Sequence, residues 1–221
     1  GYLATDEIGR VLSSGMRFNI AKNLETIGMM ITVPRLQARG AGRWILERLI
    51  RESTCESQLL YSTRKGFPLY QSEGFEKQRS VAQHQGIAHE APLPEEARNF
   101  KVRTFEKADL ASLRKLDNAA FGADRRRLLN TLFSSADKIV VLANEDKING
   151  YAVLRSFGRG QIMGPVVARS SSMAMALLAP LIQHTNGSFL RIDIPTASPA
   201  LTDYLISSGL DLVDTVFEMR R

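Results

Sequence analysis

The segment Met29-Met30-Ile31-Thr32-Val33-Pro34-Arg35-Leu36-Gln37-Ala38-Arg39-Gly40-Ala41-Gly42-Arg43-Trp44 leaves the chain few options. An apolar run stops at a proline. A basic turn with two closely spaced glycines follows, and then an apolar-periodic stretch: Trp44, Ile45, Leu46, Leu49, Ile50. The pattern predicts a strand, a turn and a helix, with the glycines at the helix N-terminus. Unpaired backbone N–H groups and the positive end of the helix dipole make that N-terminus an anion site. Glycine lets the backbone approach a ligand with no Cβ in the way. Arg35, Arg39 and Arg43 add positive charge, so the expected ligand is a phosphate or pyrophosphate.

The lead-in to this turn reads as antiparallel. Residues 1–6, 9–19 and 24–33 are three strands separated by polar turns at Asp6-Glu7 and Ala21-Lys22-Asn23. The helix at 40–52 carries Glu47, Arg48 and Arg51 on its outer face, and a strand at 58–63 returns parallel to the one before the turn. A short helix at 68–73 stops at Gly74, and a strand follows at 75–83.

Residues 88–99 are polar, acidic and proline-bearing and read as a linker. The second half then restarts. A strand at 101–105, helices at 107–118 and 124–133, a hairpin of 138–143 with 150–157, a strand at 160–167, a helix at 170–185, a strand at 189–194, a helix at 200–207 ended by Gly209, and a strand at 212–219 complete it. Each half thus has an antiparallel meander, a strand ending near Gly and Pro, a helix, a strand, a short helix closed by Gly, and a last strand. This predicts a tandem repeat of two α+β domains with mixed sheets, 1–87 and 101–221, joined by 88–100. The first copy lacks its opening strand and helices.

Composition sets outer limits. The 221 residues suffice for one large or two small domains, and the hydrophobic content of 44% supports a self-sufficient core. The single cysteine, Cys55, excludes an internal disulfide framework and points to a reducing, cytoplasmic compartment; without a His neighbour or CxxC spacing it reads as a packing residue. No apolar run approaches the roughly 18 residues of a membrane span, so no membrane partner is expected. The net charge of +6 suits an anionic ligand or a solvated basic surface. The basic clusters are short and aromatic content is 7%, which argues against nucleic acid. His84, His89 and His184 are scattered, and no metal site is expected. A monomer or a homodimer fits equally.

Two nucleotide folds fail on the turn itself. A Rossmann fingerprint needs a third glycine where Ile45 stands, after a parallel first strand, and a Walker loop needs a Gly-Lys-Ser/Thr that does not follow. The turn Gln37-Ala38-Arg39-Gly40-Ala41-Gly42, with Pro34 upstream and Leu69-Tyr70…Gly74-Phe75 downstream, resembles the Gln/Arg-x-x-Gly-x-Gly/Ala motif of the GCN5-related N-acetyltransferases. Ala120-Phe121-Gly122-Ala123-Asp124-Arg125 and Gly164-Pro165-Val166-Val167-Ala168 resemble the second copy of a two-domain bacterial branch, the YitH-like acetyltransferases. The resemblance spans nearly the whole chain.

The resemblance implies acetyl-coenzyme A as co-substrate and a small-molecule amine as acceptor, attacked directly. It places the pyrophosphate on the backbone of Ala38, Arg39, Gly40, Ala41, Gly42 and Arg43, beside Gln37. It lays the pantetheine arm along the strand ending at Val33, with an N–H at Met30 or Ile31 polarising the thioester carbonyl. Tyr70 matches the family tyrosine that protonates the leaving thiolate, against the plain alternative of a core tyrosine. Tyr61 reads as packing. The general base is open: the usual glutamate position falls on Thr26, and Glu25, one residue away, reads as a solvated strand-end residue. The second copy has no Gly-x-Gly and is expected to bind coenzyme A poorly, shaping the acceptor pocket instead. Asp117, Asp124 and Arg125 are its candidates for gripping a polar amine, with helix capping and surface pairing as the alternative. A non-catalytic acyl-coenzyme A sensor shares the glycine turn and is the competing reading.

Overall fold

The computed structural model describes residues 1–37, 39–144 and 147–221. It divides into two compact units: Gly1–Arg79 with Val216–Arg221, and Ser80–Thr215. Both are mixed α+β.

The first unit opens with β1 (Tyr2–Thr5), β2 (Val11–Ala21) and β3 (Leu24–Thr32), an antiparallel meander as the turn residues predict. A 3-10 turn at Pro34–Leu36 leads to α1 (Ala41–Arg51) and back to β4 (Ser57–Ser62), parallel to β3. The short helix α2 (Phe67–Ser72) follows. The last residues of the chain return to this unit: Phe217–Arg220 pair antiparallel with Ser62–Leu59 of β4. The strand order is β1-β2-β3-β4, closed by the chain's final strand.

Helices α1 and α2 cover one face of this sheet. Ile45, Leu46 and Leu49 of α1 are buried with Ile27, Leu60, Tyr70, Phe75 and Met219. The helix lies so close over β2 that a Cβ on Gly15 would stand 2.5 Å from Ile45 Cγ2, so glycine is the residue that admits it. On the opposite face Leu3, Met16 and Phe18 are exposed.

The second unit takes β5 (Glu76–Ile87) from Ser80 onward, α3 (Glu95–Arg98), β6 (Val102–Thr104), α4 (Leu110–Phe121), α5 (Arg126–Ser134), β7 (Ala136–Asn144), β8 (Lys147–Phe157), β9 (Gly160–Val167), α6 (Ser171–His184), β10 (Phe189–Pro195), α7 (Pro199–Ser207) and the start of β11 (Asp211–Arg220). Its strands run β5-β10-β9-β8-β7-β6, with only β9 and β10 parallel. Helix α6 is apolar on nearly all sides, because Met175, Leu177, Leu178, Leu181 and Ile182 are all buried in the largest core cluster.

Two features of the organisation differ from the sequence reading. The units meet in the chain at residues 79 and 80, inside a continuous strand, rather than at 87 and 88. The segment read as a linker is packed structure: Ala88, Ala91 and Ala97 are buried in the second unit's core, and Glu95–Arg98 is helical. Prolines and acids mark this stretch as loop-like, but three alanines supply an apolar face.

Candidate active site

Parallel pairing of β3 with β4 lasts three residues: Leu24 with Ser57, Glu25 with Gln58, Thr26 with Leu59. Beyond Thr26 the two strands part, while β3 runs on to Thr32 and stays paired with β2 on its other edge. The stretch from Ile27 to Thr32 therefore presents one open backbone edge, which is a template for an extended ligand.

This edge is bent. The register jumps from Ser14 opposite Ile31 to Met16 opposite Gly28, so β3 carries one extra residue, a bulge. Met29 sits at φ 54, in the left-handed region that non-glycine residues avoid. Three side-chain contacts hold the bulge: Ser14 Oγ donates to the Met29 carbonyl at 2.8 Å, Ser13 Oγ donates to the Ile31 carbonyl at 3.0 Å, and Ser13 Oγ lies 2.8 Å from Thr32 Oγ1. Met30 packs beneath α1, whereas Met29 and Ile31 are exposed. Backbone strain fixed by neighbouring hydrogen bonds is a mark of functional sites. Val33 closes the strand with its N–H on the Leu12 carbonyl at 3.0 Å.

The glycine turn follows at once. Gln37 Nε2 donates to the Thr32 carbonyl at 3.2 Å, and Arg39 N–H donates to the Leu36 carbonyl at 3.3 Å. Ala38, expected to give an N–H, lies outside the described residues. Gly40 is the N-cap of α1 at φ 87, a conformation strained for any L side chain, and no side chain caps the helix. The first bond of the helix runs from Trp44 N–H to the Gly40 carbonyl at 2.9 Å. The N–H groups of Ala41, Gly42 and Arg43 precede it and have no hydrogen-bond partner among the described residues. Gly42 is less constrained, since an added Cβ would stand 3.4 Å from Thr32 Oγ1. Arg39 is exposed beside the turn; the Arg43 side chain is engaged elsewhere, bound to Glu73 and, at 2.9 Å, to Ser72 Oγ of α2. The Arg43 guanidinium thus serves the α1–α2 packing.

Tyr70 comes from α2, buried in the same core cluster as α1, edge-on to Phe75 at 6.1 Å. Burial pushes its phenol above the ordinary tyrosine range, so it holds its proton at neutral pH. Glycine at position 66 leaves room beside it, because a Cβ there would make a tight contact, 3.0 Å, with Tyr70 Cε2.

Two sequence expectations change here. Glu25 is not solvated: it is 1% exposed, 3.5 Å from Arg17 Nη1, and accepts from Gln58 Nε2 at 3.3 Å. Its side chain stands where β3 is still paired on both edges, so neighbouring strands bury it. Tyr61 is half-exposed rather than packed, and its hydroxyl donates to Glu218 Oε2 at 3.2 Å. Glu218 is buried and receives both Nε and Nη2 of Arg79, at 2.9 and 3.0 Å. Sequence reasoning missed Glu218, which is opposite Tyr61 only through strand pairing at the far end of the chain. Cys55 is part-buried, and burial with the nearby Glu25 charge raises its thiol pKa, the opposite of an activated cysteine.

In the second unit Asp117 and Arg125 are brought together and consumed by each other. Arg125 Nε and Nη2 reach the Asp117 carboxylate at 2.8 and 2.7 Å, and the buried Tyr151 hydroxyl also donates to it. Desolvation first, then the Asp117 bond, raises the Tyr151 pKa. The Arg125 guanidinium lies 4.2 Å over the Phe121 ring. Neither residue is left to grip a substrate. Asp124 is separate and exposed: it precedes Arg125, the N-cap of α5, accepts from Arg126 N–H at 3.0 Å and pairs with the Arg126 guanidinium at the surface, and no side chain caps this helix. Removing one partner of a buried pair strands the other charge, so Asp117→Ala is expected to cost about 3–5 kcal/mol. Urea denaturation measures this; a substrate-gripping role would instead raise KM with stability intact.

The N-terminus of α6 lacks the openness of α1. Ser170 caps it, its Oγ accepting from Met173 N–H at 3.2 Å, and Ser171 Oγ lies 2.6 Å from Ser198 Oγ. Among the described residues no group of three His, Cys, Asp or Glu side chains is placed to hold a metal ion, and no helix is long and apolar enough to cross a membrane.

A family model described as an acetyltransferase (GNAT) domain matches residues 113–221. The uncharacterized N-acetyltransferase YitH of Bacillus subtilis (strain 168) is 30% identical over 188 residues, 84% of this chain and 66% of YitH, so the chain spans just under two thirds of that relative. Three solved structures share the fold. A proposed acetyltransferase from Pyrococcus horikoshii aligns with a TM-score of 0.76 at 22% identity, over 96% of this chain and 69% of that one. A GCN5-related N-acetyltransferase from Sphaerobacter thermophilus aligns at 0.71 and 16% identity, over 99% and 79%. A tandem GNAT protein from the clavulanic acid biosynthesis pathway aligns at 0.61 and 11% identity, over 96% and 79%. Residues 113–221 thus match an acetyltransferase (GNAT) domain, and the chain is similar in sequence to YitH and in fold to GCN5-related N-acetyltransferases.

Proposed function

We propose that the first unit is the cofactor site of an N-acetyltransferase that uses acetyl-coenzyme A and a small-molecule amine. The observation that carries this is the parting of β3 from β4 directly above an uncapped glycine turn. Those residues fit the ligand: Gly40 keeps side chains off the turn, and three N–H groups without a partner among the described residues suit a diphosphate. Gln37, Arg39 and the backbone of Gly40–Arg43 would hold the diphosphate. The open edge at Met30 and Ile31 would hold the pantetheine arm; Val33, expected to share it, has its N–H on the Leu12 carbonyl and its carbonyl on the Leu36 N–H. When bound, the co-substrate supplies an activated acetyl thioester.

The chain's own contribution is placement and proton control. A β3 N–H next to the Met29 bulge would stabilise negative charge on a carbonyl oxygen. Holding both reactants converts a bimolecular attack into a local one. Tyr70 keeps its proton at neutral pH and can deliver it to a departing thiolate. Glu25 is tied to Arg17 and Gln58, which argues against it as the base and for a water relay or a residue outside this turn.

We also read the two units as tandem copies of one fold. The support is a repeated device: parallel strands that pair for three residues and then part occur in β3 and β4 and again in β9 and β10. Only the first copy has the glycine turn, so one coenzyme A site per chain is expected.

The test combines isothermal titration with acetyl-coenzyme A and an amine screen read by thiol release. Binding at one site with turnover on some amine supports the reading. Tight binding without turnover on any class favours the sensor, and no binding removes both.

A further inference from the structure

The second unit keeps the strand parting of the first but surrounds it with different chemistry. Strands β9 and β10 pair from Gln161–Leu190 to Met163–Ile192, then separate while β9 continues to Val167 and β10 to Pro195. Between their ends and α6 is a cavity of about 470 Å³. Its walls are apolar: Met163, Leu178, Ile192 and Ile194 are all buried core residues. Ala174 of α6 lines it as well, leaving width that a larger residue would fill.

Its polar rim differs from that of the glycine turn. There is no glycine at the helix start. Ser170 and Ser171 use their hydroxyls within the protein, and the Ser170 cap satisfies one of the α6 donors that a diphosphate needs. Asp193 is neutralised by Arg191, with two contacts of 2.9 Å. Arg155 donates to the Gly164 carbonyl at 3.2 Å. Arg169 lines the cavity and is exposed with no ion pair or hydrogen bond among the described residues. A ligand for this place needs a hydrocarbon body and a single negative end.

We propose that this cavity binds a medium-chain fatty acid, its chain against Met163, Leu178 and Ile192 and its carboxylate on Arg169. The volume falls within the range of about 300–1,000 Å³ usual for small-molecule sites. Burying the chain removes apolar surface from water on both sides. The guanidinium fork matches one carboxylate. This binding is independent of the acetyltransferase reading, which concerns the other unit.

Full-length protein carrying ¹³C-methyl methionine separates the two. Titration with decanoate is expected to shift the Met163 methyl in a saturable way and to leave Met16, Met29 and Met30 unmoved. Arg169→Ala should weaken decanoate about tenfold or more, the loss expected for one charge-assisted contact, with 1-decanol binding unchanged. Ala174→Phe should abolish both, with the other methionine signals reporting that the fold is kept. If Ala174→Phe loses those signals, the Arg169 variant decides. The proposal is overturned if decanoate leaves Met163 unmoved, if Arg169→Ala binds decanoate as wild type does, or if acetyl-coenzyme A shifts Met163 with equal strength. The acetyltransferase reading fails separately, when acetyl-coenzyme A leaves Met29 and Met30 unmoved.

Discussion

Gly40→Glu is expected to raise the Kd for acetyl-coenzyme A at least about 100-fold, roughly 2.7 kcal/mol, while the protein stays folded. Two effects add. The residue sits at φ 87, where an L side chain costs about 1–2 kcal/mol. The carboxylate is then placed beside the N–H groups of Ala41–Arg43, where it competes with a diphosphate for the same donors and repels its charge. No atom lies within 4 Å of the new Cβ, so folding is disturbed only by the local strain. Gly42→Ala is the control. Its Cβ would rest 3.4 Å from Thr32 Oγ1, an ordinary contact, and binding should stay within about threefold of wild type. Isothermal titration on the three proteins checks both. Wild-type affinity in Gly40→Glu would show that the glycine turn is not the cofactor site.

The contrast between these glycines shows what the sequence could and could not carry. The strand, the turn and the helix at 24–51 were legible because each depends on neighbours within a few residues: apolar period, proline stop, glycine at a left-handed cap. Tyr70 was legible through the local pattern Leu69-Tyr70…Gly74-Phe75, and its burial agrees with either an acid or a core residue. What failed depended on strand pairing. Glu25 looks like a strand-end acid until Arg17 and Gln58 flank it across two strands. Glu218 meets Tyr61 across 157 positions, a separation that no local pattern encodes. The boundary at residues 79 and 80 was hidden for the same reason, since β5 runs through it unbroken and the final six residues return to the first unit. Asp117 and Arg125 read from the sequence as candidates for gripping an amine; their pairing with each other, with Tyr151 of β8 donating to the same carboxylate, depends on contacts between α4, α5 and the sheet that no local pattern carries.

Tyr70→Phe is expected to lower kcat by about 100-fold or more, the usual scale for loss of a positioned proton donor, with Kd for acetyl-coenzyme A unchanged within about twofold. The substitution removes one oxygen. Among the described residues that oxygen has no hydrogen-bond partner, and the ring's packing against Phe75 is kept, so the melting temperature should hold. The pH profile distinguishes an acid from a packing residue. An acid works only while protonated, so its contribution is present below its pKa and lost as pH rises through it. Burial has raised that pKa above the ordinary tyrosine value near 10. Wild-type kcat should therefore show no tyrosine-dependent fall until pH exceeds about 10. The Phe variant should lack that alkaline limb altogether, its rate set by thiolate departure without a donor. Stopped assays from pH 6 upward, with thiol detection, would read both limbs. Equal kcat in the two proteins, or a fall matched by an equal loss of affinity, would place Tyr70 in the core and move the proton donor elsewhere.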